Sequence, residues 1–397
     1  MKTSCVPGER ELELLVSAVL AGLLASVAFH AAKAFIFGLN VYPHNTFLFT
    51  PLDRFNDFIN IYKASRKLAP FSSAVSVYPP FAYVVMLPFT LVGKKIALSA
   101  MLAAFTLFVY RYMREAAGEA APGFGRLKLV GLAFLSYPFL FVFDRANIEA
   151  MVFVFLALFL RYYQRNERRY SVFFLACAIA MKIYPAAFLL VFLRDRKFKE
   201  FLYALLTAGG LTLLAMAVFK GGAEASYHGF IANLARFRAD YFFTESGLQH
   251  NASLFGVMRL AYGRFLPGAP VPELLYSAAA GAFALLTFYY VVFLRAELWR
   301  VVALIVCYII VFPQISFDYK LIHLLLPLTL FLRRQERRAS DMLYLGLFAL
   351  MLVPKDYALI RGDISIAVLL NPAILLAMAG LLVAEGFRSG AAAGGRA

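Results

Sequence analysis

The sequence predicts an all-α polytopic membrane protein, and three observations carry that prediction. Of its 397 residues, 62% are hydrophobic and only 16% are charged, with a mean hydropathy of +0.74. A soluble core cannot absorb that much apolar surface. The formal charge of +16 is distributed as short Lys and Arg clusters between apolar runs. Such clusters mark cytoplasmic loops and neutralise lipid head groups, so the expected partners are membrane lipids and not nucleic acid. Finally, the apolar runs between those clusters turn back at polar residues, which places a second set of polar turns on the opposite face.

Taken in order, residues 14–38 form a retained first span, with Glu9, Glu11 and Glu13 beside it and no convincing cleavage site. An outer loop follows at 39–79. Phe55, Phe58, Ile59 and Tyr62 share one helical face there, with Lys63 and Lys67 away from it, the pattern of a helix lying on the membrane. The run 79–92 is short and interrupted by Pro79, Pro80 and Pro88, so it reads as a re-entrant or interfacial piece.

The basic clusters are 111–128, 161–169, 194–199, 295–300, 333–338 and the tail with Arg388 and Arg396. If all face the cytoplasm, the chain between consecutive clusters crosses an even number of times. That parity gives about twelve spans, both termini inside and a second outer loop at 220–271. Residues 1–385 read as one integral-membrane domain, and 386–397 as a disordered cytoplasmic tail.

The outer turns hold the candidate chemistry. Asp53 and Asp57 follow the first span, and on the helical wheel Asp57 lies opposite the apolar stripe. A carboxylate there is either a catalytic base or a helix-start residue: Asp53 an N-cap, Asp57 a first-turn acid favoured by the dipole. Cations sit at the other turns: Arg145 after Asp144 as its plausible partner, Lys182 alone in AIAMKIYPAAF, and Lys320 beside Tyr319. A cation in an apolar segment snorkels, pairs or binds an anion such as phosphate. His250 and Asn251 lie in the second outer loop, where Asn251-Ala252-Ser253 also matches a glycosylation sequon of low specificity.

Other chemistries lack support. Cys5, Cys177 and Cys307 and the five histidines show no metal-ligand spacing. No HExxH, P-loop, GxSxG or dinucleotide fingerprint is present, which argues against metalloprotease, ATPase and soluble dehydrogenase activity.

Read in order, Asp57-Phe58 with Tyr62 and Ala64, Tyr78-Pro79-Pro80 with Pro88, Arg145-Ala146-Asn147, Lys182-Ile183-Tyr184-Pro185 and Asn251-Ala252-Ser253-Leu254 form a pattern. It resembles the GT-C glycosyltransferases, most closely glycosyltransferase family 87, the polyprenyl-phosphate-mannose-dependent mannosyltransferases. The resemblance spans about residues 10–330. It implies a GT-C type fold and makes Asp57 the catalytic base, with Asp53 in reserve. Relatives commonly carry Gly-Asn where this chain has Ala146-Asn147.

The resemblance further implies a sugar donor, most simply mannose, on a polyprenyl or dolichyl phosphate, and a glycan or glycolipid acceptor on the outer or luminal face. Lys182, Arg145 and Lys320 are then the candidates for the donor phosphate, and Tyr78, Asn147, Tyr184, His250 and Asn251 for substrate contacts. One carboxylate suffices for an inverting displacement, and neither a cofactor nor a divalent metal is implied. The membrane is the plasma membrane in a prokaryote or the endoplasmic reticulum in a eukaryote. The competing class is a transporter or flippase of a lipid or small solute, which would use the same cations and broken helices as a path. The chain lacks the repeated half common in such proteins.

Overall fold

A computed structural model describes residues 9–38, 55–72, 76–117, 124–294, 296–334, 338, 340–355, 359–362 and 364–394. In chain order the helices are α1 (Glu9–Ile36), α2 (Asn56–Arg66), α3 (Pro80–Thr90), α4 (Lys94–Ala117), α5 (Phe124–Leu135) and α6 (Tyr137–Arg145). They continue with α7 (Glu149–Gln164), α8 (Arg168–Met181), α9 (Leu189–Arg194), α10 (Phe198–Val218), α11 (Gly222–Phe237) and α12 (Leu254–Phe265). The last are α13 (Glu273–Phe293), α14 (Leu298–Val311), α15 (Leu325–Leu332), α16 (Asp341–Leu352) and α17 (Ala367–Gly394). One short antiparallel hairpin, β1 (Leu359–Arg361) with β2 (Ile364–Ser365), pairs Leu359 with Ser365 and Arg361 with Ile364.

Among the described residues five helices are long and apolar enough to cross a membrane, within α1, α4, α10, α13 and α17. A sixth arises if α5 and α6 form one span bent by 52°. Pro138 explains the bend, since it has no N–H to donate and its ring crowds the carbonyl of Phe134 four residues earlier. The other apolar helices are shorter. At 1.5 Å per residue, the 11 residues of α3 reach only about half of a ~30 Å hydrocarbon core, so it cannot cross alone.

The chain forms two compact units. One comprises Met1–Phe49, Val109–Phe141 and Leu248–Ala397. Its central helix is α14, apolar apart from Arg300 near its start and buried on nearly every residue, packed against α13, α15 and α17. The other comprises Thr50–Phe108 and Val142–Gly247. In it α8 packs between α7 and α10, and α3 rests on α2, α8 and α10.

Several expectations change. The buried residues of α2 are Phe58, Ile61, Tyr62, Ala64 and Ser65 rather than Phe55, Phe58, Ile59 and Tyr62. The reason is register: the helix starts at Asn56, and the i, i+3, i+4, i+7 positions from Phe58 turn towards α3. The second outer loop is largely helical, holding α11, a π-turn at Arg238–Phe242 and α12. At the C-terminus α17 continues to Gly394, into the expected disordered tail, where Ala391, Ala392 and Ala393 have the highest helix propensity.

Candidate functional site

The candidate site in the unit containing α2 begins at two tight backbone turns. Helix α6 ends in a Schellman-type turn: Ala146 N–H donates to Phe143 O at 3.1 Å and Asn147 N–H to Val142 O at 3.3 Å. That turn requires a left-handed residue, and Ala146 takes it at φ 46°. Opposite, Phe55 occupies the N-cap position of α2 at φ 59° and donates its N–H to Asp144 O at 2.9 Å. Phe55, which supplies no side-chain cap, therefore holds the N-cap position expected for Asp53, and Asp53 itself lies outside the described residues.

These turns bring together residues far apart in sequence. Arg145 Nη2 donates to Asp57 Oδ1 at 3.1 Å, and Asn147 Nδ2 donates to Asp57 Oδ2 at 2.8 Å. Arg145 thus pairs with the distant Asp57, and the α6 end and the α2 start that carry the two residues are tied by the Phe55–Asp144 backbone bond. Asn147 works at both ends of its amide. Its Oδ1 accepts the Glu149 N–H at 2.9 Å, closing the first turn of α7, while its Nδ2 also reaches Tyr78 Oη at 3.3 Å.

Lys182 completes the group. It follows the last residue of α8 in an extended conformation, and its ammonium forms an ion pair with Glu149 while lying 5.4 Å from the centroid of the Tyr78 ring. Lys182 is accordingly not isolated in its apolar segment, and snorkelling does not describe it. The Glu149 side chain is 0% exposed, and a carboxylate so buried requires such a partner. Tyr184 stands half-buried at the start of the 3-10 turn Tyr184–Phe188 that follows.

The phenols respond to this charge pattern. Burial pushes the Tyr78 hydroxyl well up, and the negative charge of Asp57 adds to it, so Tyr78 is a neutral group at physiological pH. Tyr241, in the π-turn, is raised first by burial; Arg145 lowers it and Asp57 raises it, which places its hydroxyl within the field of the Asp57–Arg145 pair. Chemically, the arrangement offers an oriented carboxylate with unused lone pairs, beside a cation held over an aromatic face.

The remaining expected residues belong to the other unit. Asn251 is 1% exposed: its Oδ1 accepts the N–H groups of Ser253 and Ser316, each at 3.1 Å, and its Nδ2 reaches Gln314 O at 3.4 Å. Its amide is used by its own chain, and Ser253 caps α12 through Gly256 N–H at 3.0 Å. His250 takes φ 54°, its ring lies tilted against Phe141 at 5.1 Å between centroids, and its carbonyl accepts the Asp318 N–H at 2.9 Å. Lys320 is buried in the 3-10 turn Asp318–Leu324.

The sequence places the chain among known proteins. Glycosyltransferase family 87 matches residues 77–313, more than half of the sequence. The chain belongs to glycosyltransferase family 87. No curated protein matches it. The family match includes Tyr78, Arg145, Asn147, Glu149, Lys182, Tyr184, His250 and Asn251, whereas Asp57 and Lys320 fall outside it. The protein is thus a glycosyltransferase carrying membrane-length apolar helices, a class that acts on a sugar donor and an acceptor.

Sequence reasoning missed Glu149 and Tyr241. Glu149 opens the apolar stretch of α7 as Lys182 closes that of α8, and opposite charges at the adjoining ends of neighbouring apolar stretches are the signal of a pair. Tyr241 gives no such signal among many aromatic residues. A buried acid was missed in the other unit: Asp318 takes Tyr137 Oη at 2.7 Å and Asn371 Nδ2 at 3.0 Å. Among the described residues no group of three or more His, Cys, Asp or Glu side chains gathers as a metal cage.

Proposed function

We propose that this family 87 glycosyltransferase moves a sugar, mannose in the simplest case, from a polyprenyl or dolichyl phosphate to a glycan or glycolipid hydroxyl on the outer face of its membrane. The observation that carries the reading is the Asp57 carboxylate oriented by Arg145 and Asn147, with the Lys182 ammonium joined to the same Asn147 through Tyr78. Asp57 accepts the proton of the acceptor hydroxyl as its oxygen attacks the anomeric carbon. The bond from that carbon to the phosphate oxygen breaks on the opposite side, which inverts the configuration. The lipid phosphate leaves with the bonding pair, and Lys182 compensates its developing charge in a site shielded from bulk water.

The neutral phenol of Tyr78 offers a hydrogen bond to a sugar or phosphate oxygen without adding charge. In this reading residues 1–385 act as one GT-C type catalytic domain of about twelve crossings, and no metal takes part in the step. The test is transfer from labelled polyprenyl-phosphate mannose to a membrane extract by the purified protein. A new mannosylated product, absent with Asp57→Asn, supports the reading; full-rate transfer by that variant sinks the base assignment.

A further inference from the structure

The buried Glu149 carboxylate has no part in the transfer step described above, yet it is paired with the ammonium that lies over the Tyr78 ring. Two ion pairs balance here, Asp57 with Arg145 and Glu149 with Lys182. A site built only to hold phosphate would leave Lys182 uncompensated. The substrate and product of transfer differ in charge at this very point, since a lipid-phosphate sugar is a phosphodiester with one negative charge. The lipid phosphate released is a monoester, whose second ionisation lies near pH 6, so it carries about two charges at pH 8.

We infer that Glu149 is a positioning and charge-balancing residue: it holds the Lys182 ammonium over Tyr78 and keeps the phosphate subsite neutral enough to release the monoester product while still admitting the diester donor. This rests on the lipid-phosphate donor reading. Glu149 is suited to the role by its placement. Its backbone N–H is fixed by Asn147 Oδ1 at 2.9 Å and its side chain is fully shielded, so the carboxylate cannot turn to water when an anion arrives. An approaching phosphate therefore competes with a fixed counter-charge for the same ammonium, and a second negative charge competes less well than it would at a bare lysine.

The experiment uses the full chain in detergent at pH 8, with farnesyl phosphate as the monoester probe and a farnesyl methyl phosphodiester as the diester probe, their affinities read from thermal stabilisation. Glu149→Gln is expected to shift preference towards the monoester by about tenfold relative to the wild type, while Glu149→Asp, which keeps the charge, leaves the ratio near its original value. Lys182→Gln strips the cation from a fixed carboxylate and is expected to shift the ratio the other way, which keeps the proposal testable should Glu149→Gln not fold. In transfer assays the Glu149→Gln enzyme should show product inhibition at correspondingly lower lipid phosphate.

Binding of both probes with one ratio across wild type, Glu149→Gln and Lys182→Gln overturns the role of Glu149 and leaves the donor reading standing. Binding of neither probe to any variant, with no transfer from polyprenyl-phosphate sugars, overturns the donor reading and this inference with it.

Discussion

Asp57 and Arg145 meet at 3.1 Å across 88 residues of sequence, and the same short segment that delivers Arg145 also delivers Asn147 to the other oxygen of Asp57. A carboxylate gripped at both oxygens has one orientation, and its remaining lone pairs point to one region of space. Asp57→Asn retains the shape and removes the proton acceptor. Transfer is expected to fall by roughly 10²–10⁴-fold with little change in thermal midpoint, checked by product formation and by melting in the same detergent.

Asn147 is more exposed to failure than Asp57, because one amide serves Asp57, Tyr78 and the start of α7. Asn147→Ala removes all three contacts and is expected to lower stability by about 1–3 kcal/mol as well as slow transfer. Asn147→Asp keeps the acceptor for the Glu149 N–H but sets a second carboxylate against Asp57, so its defect should lie in rate far more than in melting. Equal loss of stability in both variants would contradict this division of roles.

The pairing of these residues shows where the sequence was readable. Charge clusters and hydropathy mark out the long helices α1, α4, α10, α13 and α17 because each such property is local and periodic. Lys182 stands out as a lone cation in an apolar segment and Arg145 as a charge at a polar turn, Asn147 and Tyr78 come from the ordered motifs of the family resemblance, and all four join one cluster. Their partners were less visible. Arg145 has an acid next to it in sequence, whereas its ion pair with the distant Asp57 comes from a meeting of the α6 end and the α2 start, tied by the Phe55 N–H to Asp144 O bond, that no local pattern announces. The helices in residues 220–271 were hidden because their aromatic and basic residues carry no clean period. Asn251 drew attention as a polar residue in a motif, yet its amide closes the chain on itself.

Ala146 occupies a left-handed turn position, φ 46°, that ordinarily suits glycine. The left-handed conformation costs a residue with a Cβ about 1–2 kcal/mol, while glycine loses about 0.5–1 kcal/mol more backbone freedom on folding. Ala146→Gly should therefore stabilise the protein by about 0.5 kcal/mol. Ala146→Val, β-branched at the same φ, should destabilise it by about 1–3 kcal/mol. Denaturant titration of the two variants against wild type decides it; a destabilising glycine would show that the turn carries no strain.

Asn251-Ala252-Ser253 will not act as a glycosylation site. The asparagine is buried and its amide both accepts from Ser253 and Ser316 and donates towards Gln314, so no oligosaccharide can reach it in the folded chain. Expression in a glycosylating host should give no mass shift at this residue. Asn251→Ala should instead lower stability by about 1–3 kcal/mol, since two buried backbone N–H groups lose their acceptor. A glycan found on Asn251 of correctly folded protein would refute the placement.

Arg300 and Glu385 form an ion pair at 2.7 Å that joins α14 to α17, with the guanidinium 5.2 Å from the Trp299 ring and 5.9 Å from that of Tyr344. Arg300 is only 2% exposed, so its charge depends on Glu385 and on the aromatic faces for the solvation it has given up. Removing one partner strands the other: Glu385→Ala should destabilise the protein by about 3–5 kcal/mol. Replacing both with apolar residues of similar size, Arg300→Met with Glu385→Leu, leaves no stranded charge and should recover most of that loss. Because neither residue belongs to the Asp57 cluster, transfer per folded molecule should stay near wild type in both variants. Melting and transfer measured on the same preparations separate these effects, and a double variant as unstable as Glu385→Ala would mean that the pair itself, and not the avoidance of an unpaired charge, holds α14 to α17.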